Sequence, residues 1–252
     1  MRAKIFIRKI GKKPLQYDYL YALAGMLFSK LLSVDVEFAR EVHSRQDFKF
    51  YTFSYIKYKK ERVSQQGESR MKGLDFKEGF FILSSPDHKF IRSFCEGLLA
   101  SPDFNLRGVE MCVERVEILP KVRFEDGQVV FKTLSPLYLK TLKDDGGMPV
   151  EWDLYPTDLR FYENFRLNLL KKYEAFYGSP PPEGEIQLEV IGKFKAKRHV
   201  VKGCRRRGSL LSFKLNAPSE LLKFGYEAGF GEKTAMGFGC TEVVRKNSFV
   251  SQ

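Results

Sequence analysis

The succession of strand-like and helix-like segments narrows the possible folds of this chain more than any other feature of its sequence. Alternating apolar residues predict strands, and apolar residues every three or four positions predict helices. In the first half, the segments fall at residues 4–8 (strand), 17–32 (helix), 48–58 (strand), 79–83 (strand), 87–99 (helix) and 109–119 (strand). This β-α-β-β-α-β order is that of a ferredoxin-like unit, in which two helices pack on one face of an antiparallel sheet.

The second half of the chain repeats this order. Its predicted segments are strands at 129–134 and 137–141, a helix at 159–177, strands at 186–198 and 209–215, a short helix at 219–226 and a strand at 240–245. We therefore predict an α+β protein of two tandem ferredoxin-like (RRM-like) βαββαβ domains with a C-terminal glycine-rich loop. The predicted domains cover residues 1–122 and 123–252.

The charge of the chain indicates a polyanionic partner. Its 252 residues include 43 Lys and Arg against 31 Asp and Glu, which gives a formal net charge of +12. Such a balance is typical of proteins that bind nucleic acid. Because no apolar run approaches the ~18 residues of a spanning helix and the N-terminus is unlike a signal peptide, we expect a cytoplasmic protein with no membrane partner.

The cysteines and histidines give no metal-binding pattern. Cys95, Cys112, Cys204 and Cys240 are scattered without short paired spacings, and the chain has only three histidines. Zinc sites and disulfide frameworks both need closer or more regular spacing. We therefore expect free thiols, no metal site and no cofactor.

The most specific motif is a pair of Gly-Phe-Gly triplets at residues 229–231 and 237–239. We call the whole segment, residues 229–239, the glycine loop. Glycine allows positive φ and close backbone approach, so such a loop is suited to offering amide donors to phosphate oxygens. The residues predicted to contact RNA here are Gly229, Gly231, Lys233, Gly237 and Gly239. The alternative is a packed connection whose two phenylalanines belong to the core.

Cations are concentrated between residues 193 and 207, a segment that we call the basic hairpin. They are Lys193, Lys195, Lys197, Arg198, Lys202, Arg205, Arg206 and Arg207. Because alternate residues of a strand face the same side, residues 193–198 predict cations on one face and core residues on the other. Few acidic residues intervene, which favours contact with RNA phosphates over a merely solvated hairpin.

The glycine loop resembles the C-terminal signature of the repeat-associated RNA-binding (RAMP) superfamily of CRISPR proteins. More narrowly, residues 221–233 and 236–239 resemble the Cas-six endoribonucleases of archaeal type. The likeness recurs, in matching order, at residues 98–99 with Pro102, at 133–136 and at 173–182. It therefore covers nearly the whole chain.

The resemblance implies an activity and a set of partners. It implies two tandem ferredoxin-like domains and metal-independent cleavage of precursor CRISPR RNA within its repeats. The expected products carry a 2′,3′-cyclic phosphate and a 5′-hydroxyl. The expected partner is single-stranded CRISPR repeat RNA, and other subunits of CRISPR interference complexes and a second copy of the chain are further candidates.

The resemblance also assigns candidate catalytic residues. His43 lies just after the predicted first helix, in a polar segment that looks flexible. At the matching place the family has a histidine that takes the proton from the ribose 2′-hydroxyl, a task that suits an imidazole near neutral pH. Lys49, six residues on, matches a lysine whose charge would stabilise the pentacoordinate phosphorus. Without the resemblance, both would be interpreted as ordinary surface residues.

The third family residue is missing. In the family a tyrosine on the first helix, fifteen positions before the histidine, protonates the departing 5′-oxygen, and here that position is Phe28. A phenyl ring has no proton to donate, so three alternatives stay open: another acid such as Lys49 or a water acts, cleavage is slow, or the protein binds repeats without cutting. His88 and His199 are weaker acid-base candidates. A general RNA-binding module would explain the charge but not the ordered motifs.

Overall fold

The computed structural model describes residues 1–58, 73–144, 146–147 and 149–244. Its helices are α1 (Leu20–Leu32), α2 (Val36–Ser44), α3 (His88–Ala100), α4 (Leu159–Tyr177), α5 (Ser219–Ala228) and a 3₁₀ turn (Thr234–Met236). Its strands are β1 (Arg2–Lys9), β2 (Thr52–Phe53), β3 (Lys57–Tyr58), β4 (Glu78–Ser84), β5 (Asp103–Leu106), β6 (Val109–Ile118), β7 (Gly127–Thr133), β8 (Lys140–Asp144), β9 (Pro149–Asp153), β10 (Gln187–Val201), β11 (Cys204–Ala217) and β12 (Thr241–Val243).

The first sheet is built on β1. Its strands follow the order β2-β4-β1-β6-β5, all antiparallel, and β3 also pairs with β4. In the register of the three central strands, Ile5 lies opposite Phe81 on β4 and Val116 on β6. Ile5 and Phe81 are fully buried in one core with Leu27 of α1 and Phe94 of α3. The apolar face of the sheet is thus covered by helices, which excludes water from the core.

The second sheet follows the order β10-β11-β7-β12, also antiparallel, and β8 and β9 form a separate two-stranded ribbon. Phenylalanines dominate its core: Phe131 of β7, Phe165 of α4, Phe213 of β11 and Phe230 of the glycine loop pack with ring centroids 5.1–5.9 Å apart. Such edge and offset contacts are favoured geometries of aromatic pairs. The glycine loop therefore belongs to the second core.

The predicted fold class is confirmed: an α+β protein with two tandem ferredoxin-like units. The domain boundaries at residues 1–122 and 123–252 stay a prediction, although no sheet of the described residues mixes strands from the two halves. Residue 245, the predicted end of the last strand, lies outside the described residues. Among the helices of the described ranges, none has the length and apolarity needed to cross a membrane.

Two predicted strands were wrong. In residues 137–141, buried and exposed side chains do not alternate as in a strand, because Leu137, Tyr138 and Leu139 are all fully buried in an irregular stretch. The strand begins only at Lys140. In the aromatic segment 48–58, only two short pieces pair with β4. Its aromatic residues divide between the two cores instead: Phe50 packs in the second, and Tyr51 and Phe53 in the first.

Candidate active site and nucleic-acid interface

His43 lies in the last turn of α2, with its side chain exposed. Asp35 begins this helix by accepting a hydrogen bond from the Phe38 amide at 2.9 Å, and Phe38, Ala39 and Val42 form its buried side. The interpretation of His43 as a residue in a flexible segment just after the first helix was therefore wrong. A second helix intervenes and fixes the position of the imidazole.

Lys49 caps the end of this helix. Its Nζ donates hydrogen bonds to the carbonyl oxygens of Val42 (2.9 Å) and His43 (2.6 Å). A cation at a helix C-terminus satisfies unpaired carbonyl groups and the negative end of the helix dipole. Burial lowers the pKa of Lys49, and the positive charges of Lys202 and Arg45 lower it further. The Lys49 ammonium therefore lies beside His43 and near other cations.

Phe28 completes this group. Its ring on α1 is half-buried and lies 4.9 Å from the His43 ring between centroids, with 42° between the planes. Phe28, His43 and Lys49 line one cleft of about 370 Å³, together with the exposed Tyr21 on α1 and Lys202 at the turn of the basic hairpin. We call it the histidine cleft. The structure thus brings together the three positions that the resemblance had linked.

A second, larger cleft of about 690 Å³ adjoins the first. Six lysines line it: Lys49, Lys140, Lys171, Lys172, Lys202 and Lys233. We call it the lysine cleft. Because Lys49 and Lys202 line both clefts, the two are contiguous. Lys140, Lys171 and Lys172 were not identified from the sequence, since β8 and α4 are far along the chain from the other lysines and only the fold brings them together.

The lysine cleft concentrates positive charge. Burial lowers the pKa of Lys233, and the nearby cations of Arg206 and Lys140 are the next causes. The lining includes two acidic residues, Asp47 and Glu232, and burial raises the pKa of Glu232. Cations that lower each other's pKa are stabilised by an anion between them. The cleft is therefore electrostatically suited to phosphate groups.

Lys172 plays a different part. Its side chain is almost fully buried, and its Nζ donates to the carbonyl oxygens of Gly229 (3.0 Å) and Gly231 (2.6 Å). Burial lowers the pKa of Lys172 to about 7, and the charge of Glu232 opposes that effect. Lys172 thus ties α4 to the glycine loop rather than offering its charge to solvent.

The glycine loop is largely buried between the two halves of the molecule. An added Cβ at Gly237 would lie 2.6 Å from the Phe53 ring, and at Gly231 2.5 Å from the Tyr138 carbonyl oxygen. At Gly239 it would meet the Phe230 carbonyl oxygen far inside van der Waals contact, on a residue with φ of +73°. Only glycine meets both requirements. The loop therefore allows close packing of the two sheets.

The amide groups of this loop bond mainly within the protein. The Gly229 amide donates to the Gly225 carbonyl (2.9 Å), that of Gly237 to Thr234 (3.0 Å) and that of Gly239 to Pro136 (2.9 Å). Phosphate binding by these three amides is therefore not supported, and the packed alternative describes them better. RNA contact by Gly231 and by Lys233, which is half-buried on the lysine cleft, stays a prediction.

The basic hairpin consists of the distal parts of β10 and β11. Arg198 pairs with Arg207 and lies on one face, whereas Lys197 and Arg206 lie on the other. Ala196 is exposed on the face that was expected to be core. The prediction of one basic and one apolar face was therefore wrong, because the distal part of the hairpin extends past the sheet and presents cations from both sides.

The predicted RNA-binding cations of the hairpin differ in exposure. Lys197 is half-buried, and six others are exposed: Lys193, Lys195, Arg198, Lys202, Arg205 and Arg207. Arg206 is instead paired with Glu151 on β9, and its Nη1 approaches the Tyr138 hydroxyl at 3.4 Å. Arg206 therefore anchors the hairpin to the β8–β9 ribbon. RNA contact by all eight stays a prediction.

The remaining histidines lie outside both clefts. His88 is exposed at the start of α3, and His199 is buried on β10, where burial lowers its pKa. Within the described ranges, no group of three or more His, Cys, Asp or Glu side chains is arranged to hold a metal ion. Of the three histidines, His43 alone lines one of the two clefts, so it is the candidate for acid-base chemistry there.

Two family models of known proteins match this chain, one in each half. Residues 14–117 match the family model "CRISPR-associated protein Cas6, N-terminal", and residues 118–243 match "CRISPR associated protein Cas6, C-terminal". The chain is 36% identical to "CRISPR-associated endoribonuclease Cas6 1" of Methanocaldococcus jannaschii, over 95% of this chain and 91% of that protein.

Two further relatives are similar along their whole length. The chain is 30% identical to a "Putative CRISPR-associated endoribonuclease-like protein Cas6" of Pyrococcus furiosus, over 98% of this chain and 100% of that one. A solved structure described as "An RAMP protein binding different RNA substrates" superposes with a TM-score of 0.86 at 30% identity, over 97% of this chain and 100% of the other. Because models of the Cas6 family match both halves of the chain, the chain belongs to this family of CRISPR-associated proteins.

Proposed function

We propose that this protein binds CRISPR repeat RNA and cleaves precursor CRISPR RNA within its repeats, at the histidine cleft. The observation that carries the proposal is the juxtaposition of His43 and Lys49 in a cleft that continues into the lysine cleft. One cleft offers an acid-base group, and the other offers cations for the adjoining phosphates. The names of the relatives, which are CRISPR-associated endoribonucleases, support the substrate class.

His43 is the proposed general base. Its exposed imidazole takes the proton from the ribose 2′-hydroxyl, and the resulting oxygen attacks the adjacent phosphorus. The P–O bond to the 5′-oxygen of the next nucleotide breaks, which leaves a 2′,3′-cyclic phosphate on one product and a 5′-hydroxyl on the other. The nucleophile belongs to the substrate, so the protein needs to supply only proton transfer and charge stabilisation.

Lys49 and Lys202 are the proposed stabilisers of the phosphorane. Both line the histidine cleft, and the charge of Lys202 is among the causes that lower the pKa of Lys49. Positioned cations act most strongly where negative charge develops in the transition state. Lys49 has a second effect, because its hydrogen bonds to the end of α2 hold the backbone of His43. With these charges the proposed reaction is independent of a divalent metal.

Protonation of the leaving 5′-oxygen is the step that Phe28 affects. Tyr21 carries a hydroxyl in the same cleft, on the same face of α1 but about two turns (~10 Å) before Phe28, and Lys49 and water are the other donors. Without a well-placed acid, we expect cleavage slower by ~10²–10⁴ than with one. The second candidate function follows from the same observation: a repeat-RNA-binding subunit that does not cut.

The expected setting of this activity rests on composition and family rather than on the site. We propose a cytoplasmic protein that acts on single-stranded repeat RNA, with other subunits of CRISPR interference complexes or a second copy of the chain as further partners. The net charge of +12 supports the nucleic-acid partner. The oligomeric state is measured directly by light scattering with and without RNA.

The test is a cleavage assay with end-labelled repeat RNA in excess chelator. Wild-type protein, His43→Ala and a substrate with 2′-deoxyribose at the cut site are compared. We expect wild-type cleavage to persist in chelator and to disappear in both controls, with a 2′,3′-cyclic phosphate on the upstream product. Tight binding without cleavage would favour the non-cutting alternative, and a requirement for divalent ions would contradict the mechanism.

A further inference from the structure

Three side chains from distant parts of the chain meet in a hydrogen-bonded chain, in which His199 is buried and Asp18 and Tyr55 are half-buried. The Tyr55 hydroxyl lies 2.5 Å from Nε2 of His199, and Nδ1 of His199 lies 3.3 Å from Oδ1 of Asp18. Asp18 precedes α1, Tyr55 lies between β2 and β3, and His199 is on β10. We call this group the clasp. It joins the basic hairpin to the first half of the molecule.

The donors and acceptors of the clasp are mutually consistent. Asp18 is a carboxylate and can only accept, so Nδ1 of His199 carries the proton and Nε2 accepts from the Tyr55 hydroxyl. Burial lowers the pKa of His199 and so favours this neutral ring, while Asp18 opposes the effect. Asp18 also accepts from the Val200 amide, at 3.1 and 3.3 Å from its two oxygens. Each ring nitrogen therefore has a partner.

The clasp is not placed to act on a substrate. His199 is 6% exposed, its ring edge packs on Phe238 at 6.0 Å between centroids, and none of the three residues lines the histidine cleft or the lysine cleft. A chain of Asp, His and Tyr can resemble a catalytic triad, but here the residue that carries the hydroxyl lines neither cleft. A positioning role fits better.

What the clasp holds is the tip of the basic hairpin. The turn of the hairpin begins at Val201, two residues after His199, and places Lys202 at its apex with φ of +50°. On the opposite strand, the Arg207 amide donates to Asp153 at 3.0 Å, which fixes β11 to the β8–β9 ribbon. β10 is thus attached through the clasp and β11 through the ribbon, with Lys202 between them.

We propose that the Asp18–His199–Tyr55 clasp positions Lys202 over His43 and Lys49, so that the Lys202 ammonium contacts the RNA phosphate at the cleavage site. This inference rests on the proposed function for the identity of the anion. It makes the three clasp residues positioning residues that act through Lys202. Lys202 lines both clefts, so a small displacement of the turn removes its charge from both.

The salt dependence of RNA binding tests the clasp without requiring cleavage. When a protein makes one phosphate contact fewer with a single strand, the slope of log Kd against log salt falls by ~0.7. Affinities are measured for a repeat RNA with 2′-deoxyribose at the cut site. We expect Lys202→Ala, His199→Leu and the milder Tyr55→Phe each to weaken binding. The first two should also lower the slope by the amount that corresponds to a single phosphate.

The decisive comparison uses double variants. If the clasp acts through Lys202, His199→Leu has no further effect on slope or affinity in the Lys202→Ala background. Arg198→Ala, an exposed cation on the same hairpin, is the matched control and should add its own decrease to that of His199→Leu. Additive effects of His199→Leu and Lys202→Ala, or an unchanged slope in His199→Leu, would overturn the proposal.

Protein that binds RNA but does not cut it would refute the proposed cleavage and leave the clasp to be judged on these slopes. If wild-type protein does cleave, single-turnover rates should show the same pattern, with equal losses in Lys202→Ala and in its double variant with His199→Leu. Melting temperatures of all variants are measured alongside. The proposal would be contradicted if the salt slopes of Tyr55→Phe and His199→Leu decreased in proportion to their melting temperatures, whether or not Lys202 is present.

Discussion

The glycine loop and the basic hairpin were both predicted to bind RNA, but they differ in how accessible the structure leaves them. Both were expected to contact RNA, one through amide groups and the other through cations. The loop is buried, with the amides of Gly229, Gly237 and Gly239 bonded to protein carbonyl groups, whereas most cations of the hairpin are exposed. A distinctive sequence motif can thus reflect a requirement of packing. A simple cluster of charges, which many proteins share, can instead form the surface that is accessible to RNA.

The largest expected effect is a difference in stability between substitutions at two glycines that have similar backbone conformations. Gly239 in the loop and Gly203 at the hairpin turn have φ of +73° and +78°, but only the first is surrounded by other atoms. Gly239→Ala should destabilise folding by at least ~4 kcal/mol, because both strain and overlap act. Gly203→Ala should cost only ~1–2 kcal/mol, the strain alone.

Denaturant unfolding of both variants measures this difference. Equal losses at the two glycines would show that the loop is not packed as described.

The next comparison lies within the hairpin. Arg206 is paired with Glu151, whereas its neighbour Arg205 is exposed. Arg206→Ala removes one of the two cations bonded to the half-buried carboxylate of Glu151, the other being Lys140, and should lower the free energy of unfolding by ~1–2 kcal/mol. Arg205→Ala should leave stability within ~0.5 kcal/mol and weaken RNA binding. Thermal and denaturant unfolding, together with RNA titration, distinguish the two, and a destabilised Arg205→Ala would contradict the assignment.

The buried Lys172, which holds the glycine loop, makes the stability of the protein depend on pH at neutral to alkaline values. Its pKa falls from the ordinary 10.5 to about 7 on burial, so between pH 7 and pH 10 the unfolded chain binds the extra proton. The free energy of unfolding should therefore rise with pH in that window, by at most ~1.4 kcal/mol per pH unit from this group. The rise is measured as wild type minus Lys172→Met from pH 7 to 9, and a difference that falls with pH would contradict the burial.

The smallest expected effect concerns exposed cations. The double variant Lys195→Ala with Arg205→Ala removes charges from the two faces of the hairpin. We expect the salt slope of RNA binding to fall by ~1.4 and the melting temperature to stay unchanged. Lys12→Ala with Lys77→Ala, at two exposed lysines that line neither cleft, is the matched control. Equal slopes for the two double variants would exclude the hairpin from the RNA surface.

Local signals predicted much of the fold. The bounds of α4 were predicted correctly because its helical spacing is regular, Asp158 caps its start and Gly178 its end. α2 was missed, although Asp35 followed by apolar residues 38, 39 and 42 is a recognisable helix start. The β8–β9 ribbon was missed too, since its strands carry charged residues on exposed faces and its pairing is set by the fold.

The candidate site could be predicted only where the resemblance supplied it. His43, Lys49 and Phe28 were linked by their family spacing, and the structure adds the distance between the rings and the cleft. The lysine cleft could not be found from sequence, because its cations come from α4, β8, the hairpin, the glycine loop and, with Lys49, the segment after α2. Nor could the burial of the glycine loop, which depends on contacts such as that of Gly237 with Phe53.

The most direct test of the account is the single-turnover cleavage rate of Phe28→Tyr, with Phe28→Leu as control. If the histidine cleft is the cleavage site and lacks only a leaving-group acid, restoring the phenol should raise the rate by ~10²–10⁴. Phe28→Leu should not exceed the wild-type rate. A Phe28→Tyr protein that binds repeat RNA as tightly as wild type but cuts no faster would contradict the placement of the reaction at this cleft.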